Sequence, residues 1–189
     1  MFILKFLKNV WGQLHRFALW ALILTFLWIL VYTYVGDTSR DKKIVLYADT
    51  LTLEHRELAA RLEDEGLPEG IRMIQVRSFD TSYSTMPIEG DLYLIKGSML
   101  RSVLEEAPDR LLALELPAGF AGYTQDGKTW GLLAFDAATQ TGPATDYLQY
   151  AYLDEPQSES FYLCIDAGSP HLEDGAAWTV ALNFLKLVD

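Results

Sequence analysis

Residues 44–79, IVLYADTLTLEHRELAARLEDEGLPEGIRMIQVRSF, read as a strand, a helix and a second strand. Ile44-Val45-Leu46-Tyr47 is a continuous apolar run bounded by Lys43 and Asp49, the pattern of a strand covered on both faces of a parallel sheet. In the helix after it, Leu51, Leu58, Ala59 and Leu62 share one stripe. Thr50 or Thr52 can cap its start, Glu54 and Glu57 suit its positive end, and Gly66-Leu67-Pro68 stops it. Ile71 to Phe79 then alternates, with Ile74 and Val76 facing inward. This is a β-α-β unit, so its two strands are expected to be parallel.

Downstream, a polar loop from Asp80 to Thr85 leads to Asp91-Leu92-Tyr93-Leu94-Ile95, another buried strand. A helix beginning at Ser98 presents Met99, Val103 and Leu104 and closes at Pro108, ahead of an extended stretch from Leu111 to Leu116. Gly122-Tyr123-Thr124 and Thr129 to Phe135 flank Asp126-Gly127, a hairpin signal. Thr145 to Tyr152 is ambiguous. Phe161 to Ile165 reads as a last buried strand. Glu173 to Val188 reads as a terminal helix packed through Ala177, Ala181, Phe184, Leu185 and Val188. The expected fold is α/β: a mixed, mostly parallel sheet flanked by helices, in one extracytoplasmic domain over residues 44–189.

Upstream, residues 17–35 (FALWALILTFLWILVYTYV) contain no charge. As a helix they cover roughly 28 Å, close to a hydrocarbon core of about 30 Å, so a transmembrane helix is expected here. A cleaved signal peptide competes. However, the run is long for one, and Tyr34-Val35-Gly36-Asp37-Thr38 offers no small-x-small cleavage site, so an uncleaved signal anchor is the expectation. Residues 1–16 mix Phe2, Ile3, Leu4, Phe6, Leu7, Val10 and Trp11 with Lys5, Lys8 and Arg16, as a helix lying on anionic lipid would. An ordinary signal-anchor flank accounts for the same residues, and Gly12 is expected to interrupt the pattern. Residues 36–43 are a polar hinge. Lys5, Lys8 and Arg16 before the span balance Arg40, Lys42 and Lys43 after it. The orientation therefore rests on the acidic residues beyond the span. Asp37 and Asp41 dilute the second cluster, and residues 44–189 carry 9 basic against 24 acidic groups, a net of −15. A cytoplasmic N-terminus and a single pass through the cell membrane are expected, with the lipid bilayer as first partner.

The net charge of −11 over 189 residues leaves no cationic surface for a phosphate backbone, so no nucleic acid is expected. One cysteine, Cys164, and three histidines give no metal signature, and no cofactor is implied.

Several of these segments together resemble the bacterial extracellular solute-binding proteins, the type 2 periplasmic binding-protein fold. Residues 44–61 resemble that family's opening unit, and Phe79-Asp80 with Gly90 to Ile95 resembles its "DS…GDIYLI" stretch. Trp130 to Asp136 is similar to the "YGLLVYD" hairpin. Phe161 to His171, followed by an alanine-rich helix ending Asn183-Phe184-Leu185, is similar to "YYLCINAKSPH…A..FL". Family members grip solute between two lobes, the second inserted between the middle and the end of the first. Here only about forty residues separate Pro117 from Phe161, too few for an independent lobe. The resemblance therefore implies one membrane-anchored lobe without its counterpart.

No nucleophile or acid-base constellation stands out, so an enzyme is not expected and no catalytic residue is assigned. His55 in Glu54-His55-Arg56-Glu57 is not an HExxH motif; His171, near Glu173 and Asp174, sits at a helix start; Cys164 lies mid-strand as a small hydrophobe. In an open α/β sheet ligands gather beyond the carboxyl ends of the strands. That rule makes Asp49, Thr50, Asp80, Ser82, Tyr83, Lys96, Gly97 and Ser98 the candidate ligand-binding rim. Ser98 as an N-cap and Lys96 as a surface charge is the simpler reading of the last three. Tyr147, Tyr150 and Tyr152 with Leu148 and Leu153 form an apolar cluster, either buried or a docking surface. The expected function is a binding or interaction module of the bacterial cell envelope that docks a membrane or envelope protein. The alternative is a small-solute receptor associated with an ABC-type transporter.

Overall fold

A computed structural model describes residues 2–36, 38–48, 55–79, 86–87, 89–116, 119–145 and 158–187. The chain divides into two units, Met1–Ser39 and Arg40–Asp189.

The first unit is one unbroken helix, α1 (Phe2–Gly36). Its stretch Gly12–Val31, 20 residues, is long and apolar enough to cross a membrane. The Thr25 hydroxyl donates to the Ala21 carbonyl (2.8 Å), so this polar group is satisfied within the helix. The helix runs on through Gly12. A single glycine costs a helix roughly 1 kcal/mol relative to alanine, too little to break one flanked by good helix formers.

In the second unit the described elements are β1 (Lys43–Ala48), α2 (His55–Asp64), β2 (Met73–Ser78), β3 (Leu92–Lys96), α3 (Gly97–Glu106), β4 (Gly122–Gln125), β5 (Lys128–Phe135), β6 (Phe161–Ile165) and α4 (Ala176–Leu185). The strands form one six-stranded mixed sheet in the order β2-β1-β3-β6-β5-β4. β1 pairs in parallel with β2 and β3, whereas β3–β6, β6–β5 and β5–β4 are antiparallel. The "mostly parallel" expectation is thus corrected. A two-residue turn leaves β4 and β5 no choice but to reverse: Asp126 and Gly127 take positive φ of 54° and 74°, the values a tight hairpin demands. β6 starts at the edge where β5 ends, with Phe135 opposite Phe161, and so must run back along it.

The extended stretch Leu111 to Leu116 touches the sheet through single bridges, Leu111 to Asp166 and Leu114 to Thr129, crossing from β6 to β5 rather than following either. The terminal helix begins at Ala176 rather than Glu173, because Gly175 turns left-handed (φ 69°) while the Asp174 carboxylate accepts the Ala176 amide at 2.9 Å.

Helices cover both faces of the sheet. Ile44, Leu46, Leu92, Leu94, Phe161 and Leu163 face α2 and α4, meeting Leu58, Leu62, Val180 and Phe184. The alternate residues Tyr93, Ile95 and Cys164 face Leu100, Val103 and Leu104 of α3. Double coverage is why β1, β3 and β6 read as continuous apolar runs rather than alternating ones. Edge strand β2 alternates, and the carboxylate of Glu63 accepts its Ile74 amide (2.8 Å), occupying one donor that an edge would otherwise expose.

Candidate functional site

The carboxyl ends of β1, β2 and β3 meet along one rim: Ala48 lies opposite Ser78, Leu94 is opposite Ala48, and the Phe79 amide donates to the Ala48 carbonyl (3.1 Å). Of the expected ligand set, Asp49, Thr50, Asp80, Ser82 and Tyr83 lie outside the described residues, as do Tyr147, Tyr150 and Tyr152. Lys96, Gly97 and Ser98 are on the rim. Lys96 occupies the N-cap position of α3 without a side-chain cap bond, so Ser98 is not the cap. The Gly97 amide donates to the Ser160 carbonyl (2.9 Å) and the Ser98 amide to the Glu159 carboxylate (3.1 Å). A carboxylate at a helix N-terminus answers its unpaired amides and its dipole. The position where a bound anion would sit therefore holds the chain's own Glu159. Nearby, the Ser160 hydroxyl accepts the Ala137 amide (3.0 Å), which links the start of β6 to the turn after β5.

The opposite edge carries a buried polar network. Asp91, fully buried just ahead of β3, accepts three bonds: from Arg40 Nη1 (2.6 Å), the Val45 amide (2.7 Å) and the Ser169 hydroxyl (2.6 Å). Arg40 also donates to the carbonyls of Lys43 (3.0 Å) and Glu89 (3.2 Å). The Ser169 hydroxyl accepts the His171 amide (3.1 Å), while the His171 ring reaches the Arg40 carbonyl through Nε2 (3.1 Å) and Asp174 through Nδ1 (3.5 Å). Ser169 gives its proton to Asp91, and the imidazole faces elsewhere, so Ser169, His171 and Asp91 do not form a nucleophile-base relay. A carboxylate held by three donors serves instead as a pin joining the start of β1, the start of β3 and the segment after β6. Sequence alone does not pair these groups: Arg40 and Asp91 are 51 residues apart, and Asp91 and Ser169 are 78. The only hint is an acid set directly against Leu92-Tyr93-Leu94-Ile95.

A second set adjoins the first. The Tyr93 hydroxyl lies 2.9 Å from Asp166 Oδ2 and 2.6 Å from the Pro87 carbonyl, and it accepts the Gly90 amide (3.2 Å). Arg110 reaches Tyr93 (3.3 Å), the Pro87 carbonyl and Asp166 Oδ2 (3.8 Å). Burial pushes the Tyr93 phenol up to about 12, with Arg110 opposing and the Asp166 charge adding to the rise. A folded-state value above the unfolded value of about 10 means this group favours the fold fully below pH ~10. The contribution, about 2–3 kcal/mol, is lost as pH climbs from ~10 through ~12. Urea unfolding across that window should show the decline, and Tyr93→Phe should remove this component; an unaltered alkaline profile in the variant would contradict the assignment.

Cys164 is fully buried in β6, and burial pushes its thiol well above the ordinary range, so it behaves as a small hydrophobe. Among the described residues no group of three or more His, Cys, Asp or Glu is placed to hold a metal ion. A cavity of about 470 Å³ opens between residues 112–115 and α4, lined by Leu112, Leu114, Ile165, Leu172, Trp178 and Glu115. No family model, curated protein or solved structure matches the chain.

Proposed function

We propose that residues 44–189 are one lobe of the solute-binding-protein type, held outside a bacterial cell by α1, and that the lobe docks a membrane or envelope protein through its rim. The observation that carries this reading is where β5 ends and β6 begins. Phe135 and Phe161 are paired neighbours at the rim, and β6 returns to the middle of the sheet, between β3 and β5. Anything inserted between these strands projects from the rim, which is where the resemblance expects a second lobe. Between Phe135 and Phe161 this chain has only 25 residues, too few for an independent lobe, so on this reading the counterpart is another protein. Glu159 on the Ser98 amide favours docking over capture of a small anion, because a solute would first have to displace an intramolecular carboxylate.

The solute-receptor alternative keeps the same rim and is separated by thermal shift. A solute at a hundred times its Kd adds roughly 2.7 kcal/mol, a rise of several degrees. Under the docking reading the full chain gives no such rise across a broad panel of sugars, amino acids and oligopeptides. A rise abolished by Asp49→Ala or Ser98→Ala would replace docking with solute reception.

A further inference from the structure

The amino-terminal turns of α1 carry a surface separate from the rim, and its reading does not rest on the lobe proposal. α1 runs unbroken from Phe2 to Gly36, 35 residues or about 52 Å, against a hydrocarbon core of about 30 Å. Tilting alone would need an angle beyond the roughly 40° seen for spanning helices. The surplus is not uniform in character. At about 100° per residue, Lys5, Lys8, Asn9, Gly12, Gln13, His15 and Arg16 fall within about 160° of the helix, with Phe2 the one apolar residue among them, and Ile3, Leu4, Phe6, Leu7, Val10, Trp11 and Leu14 fall on the other side. From Phe17 onward the helix is apolar all round. No acidic residue precedes Asp37, whereas residues 44–189 carry a net of −15. A basic stripe next to a span, on a helix that outruns the core, matches a negatively charged headgroup layer in charge.

We propose that the face bearing Lys5, Lys8 and Arg16 binds the phosphodiester headgroups of anionic phospholipid at the membrane surface. Each basic residue at that level favours anionic over zwitterionic lipid by about fivefold. The test uses the full chain reconstituted into phosphatidylcholine bilayers doped with phosphatidylglycerol, followed by counting of retained lipids by native mass spectrometry. Phosphatidylglycerol should be retained at least fivefold above its bulk share, less so at high salt. The triple substitution Lys5→Gln, Lys8→Gln, Arg16→Gln should erase the enrichment. Arg56→Gln, Arg72→Gln, Lys128→Gln, which removes the same charge from exposed positions of the other unit, should leave it intact. Equal retention of the two lipids, enrichment that survives the triple substitution, or recovery of a chain that has lost residues 1–36 would each overturn the proposal. Equal retention is also the outcome if the stripe serves an acidic protein surface instead.

Discussion

Replacing Asp91 by alanine is expected to lower the melting temperature of the second unit by about 10–15 °C. The side chain is fully buried and accepts three bonds, among them those from the Val45 amide and the Ser169 hydroxyl. Its removal leaves these two donors without their acceptor and takes the ion-pair partner from Arg40, which keeps the carbonyls of Lys43 and Glu89. Leaving two buried donors without their acceptor costs about 1–3 kcal/mol each, beyond the smaller loss at the part-exposed Arg40, and for a unit near 150 residues each kcal/mol shifts the midpoint by about 3–4 °C. Arg40→Ala should cost less, because Asp91 keeps two donors. The double variant should fall short of the summed losses, since the two groups act on each other. Calorimetry of the full chain in detergent measures all three. A loss below about 1 kcal/mol for Asp91→Ala would mean that the network does not pin the sheet.

Phe161→Ala is expected to be of similar size for a different reason. Phe161 is fully buried against α4 and lies edge-on to Phe135, with ring centroids 6.3 Å apart. Truncating a buried Phe costs about 3–5 kcal/mol through lost transfer energy and the cavity left behind, and the aromatic pair adds about 1 kcal/mol. Phe161→Leu should recover most of this. The alanine substitution should also loosen the rim, because Glu159 and Ser160, which engage the first amides of α3, immediately precede the ring. Hydrogen exchange should accelerate at Gly97 and Ser98 more than at Leu46 or Val76. Uniform acceleration would mean that the rim is not held from β6.

The parts of this architecture visible in sequence are those set by local pattern. Ile44 to Tyr47 and Phe161 to Ile165 announce themselves because strands covered on both faces carry unbroken apolar runs. Asp126-Gly127 announces its turn because few residues accept two successive positive φ values. The balance of parallel and antiparallel pairing is not local: β6 is antiparallel to β3 because of where the chain re-enters the sheet, which no property of Phe161 to Ile165 encodes. The rim shows the same division. Lys96-Gly97-Ser98 is recognisable as a strand-to-helix corner, but Glu159, 61 residues after Ser98, is the group that fills it. The Asp91 network is the extreme case, since its members act only through contacts between segments remote in the chain.

Site-specific photo-crosslinking from the rim of the membrane-embedded full chain is the most direct test of docking. A crosslinker placed at Ser78 or Ser98, both exposed at the carboxyl ends of strands, should yield one adduct of defined mass; the same probe at exposed Glu69 or Arg72, ahead of β2, should yield none. A chain that stays monomeric from every position, or gives the same adducts from both edges, would contradict a lobe that docks through its rim.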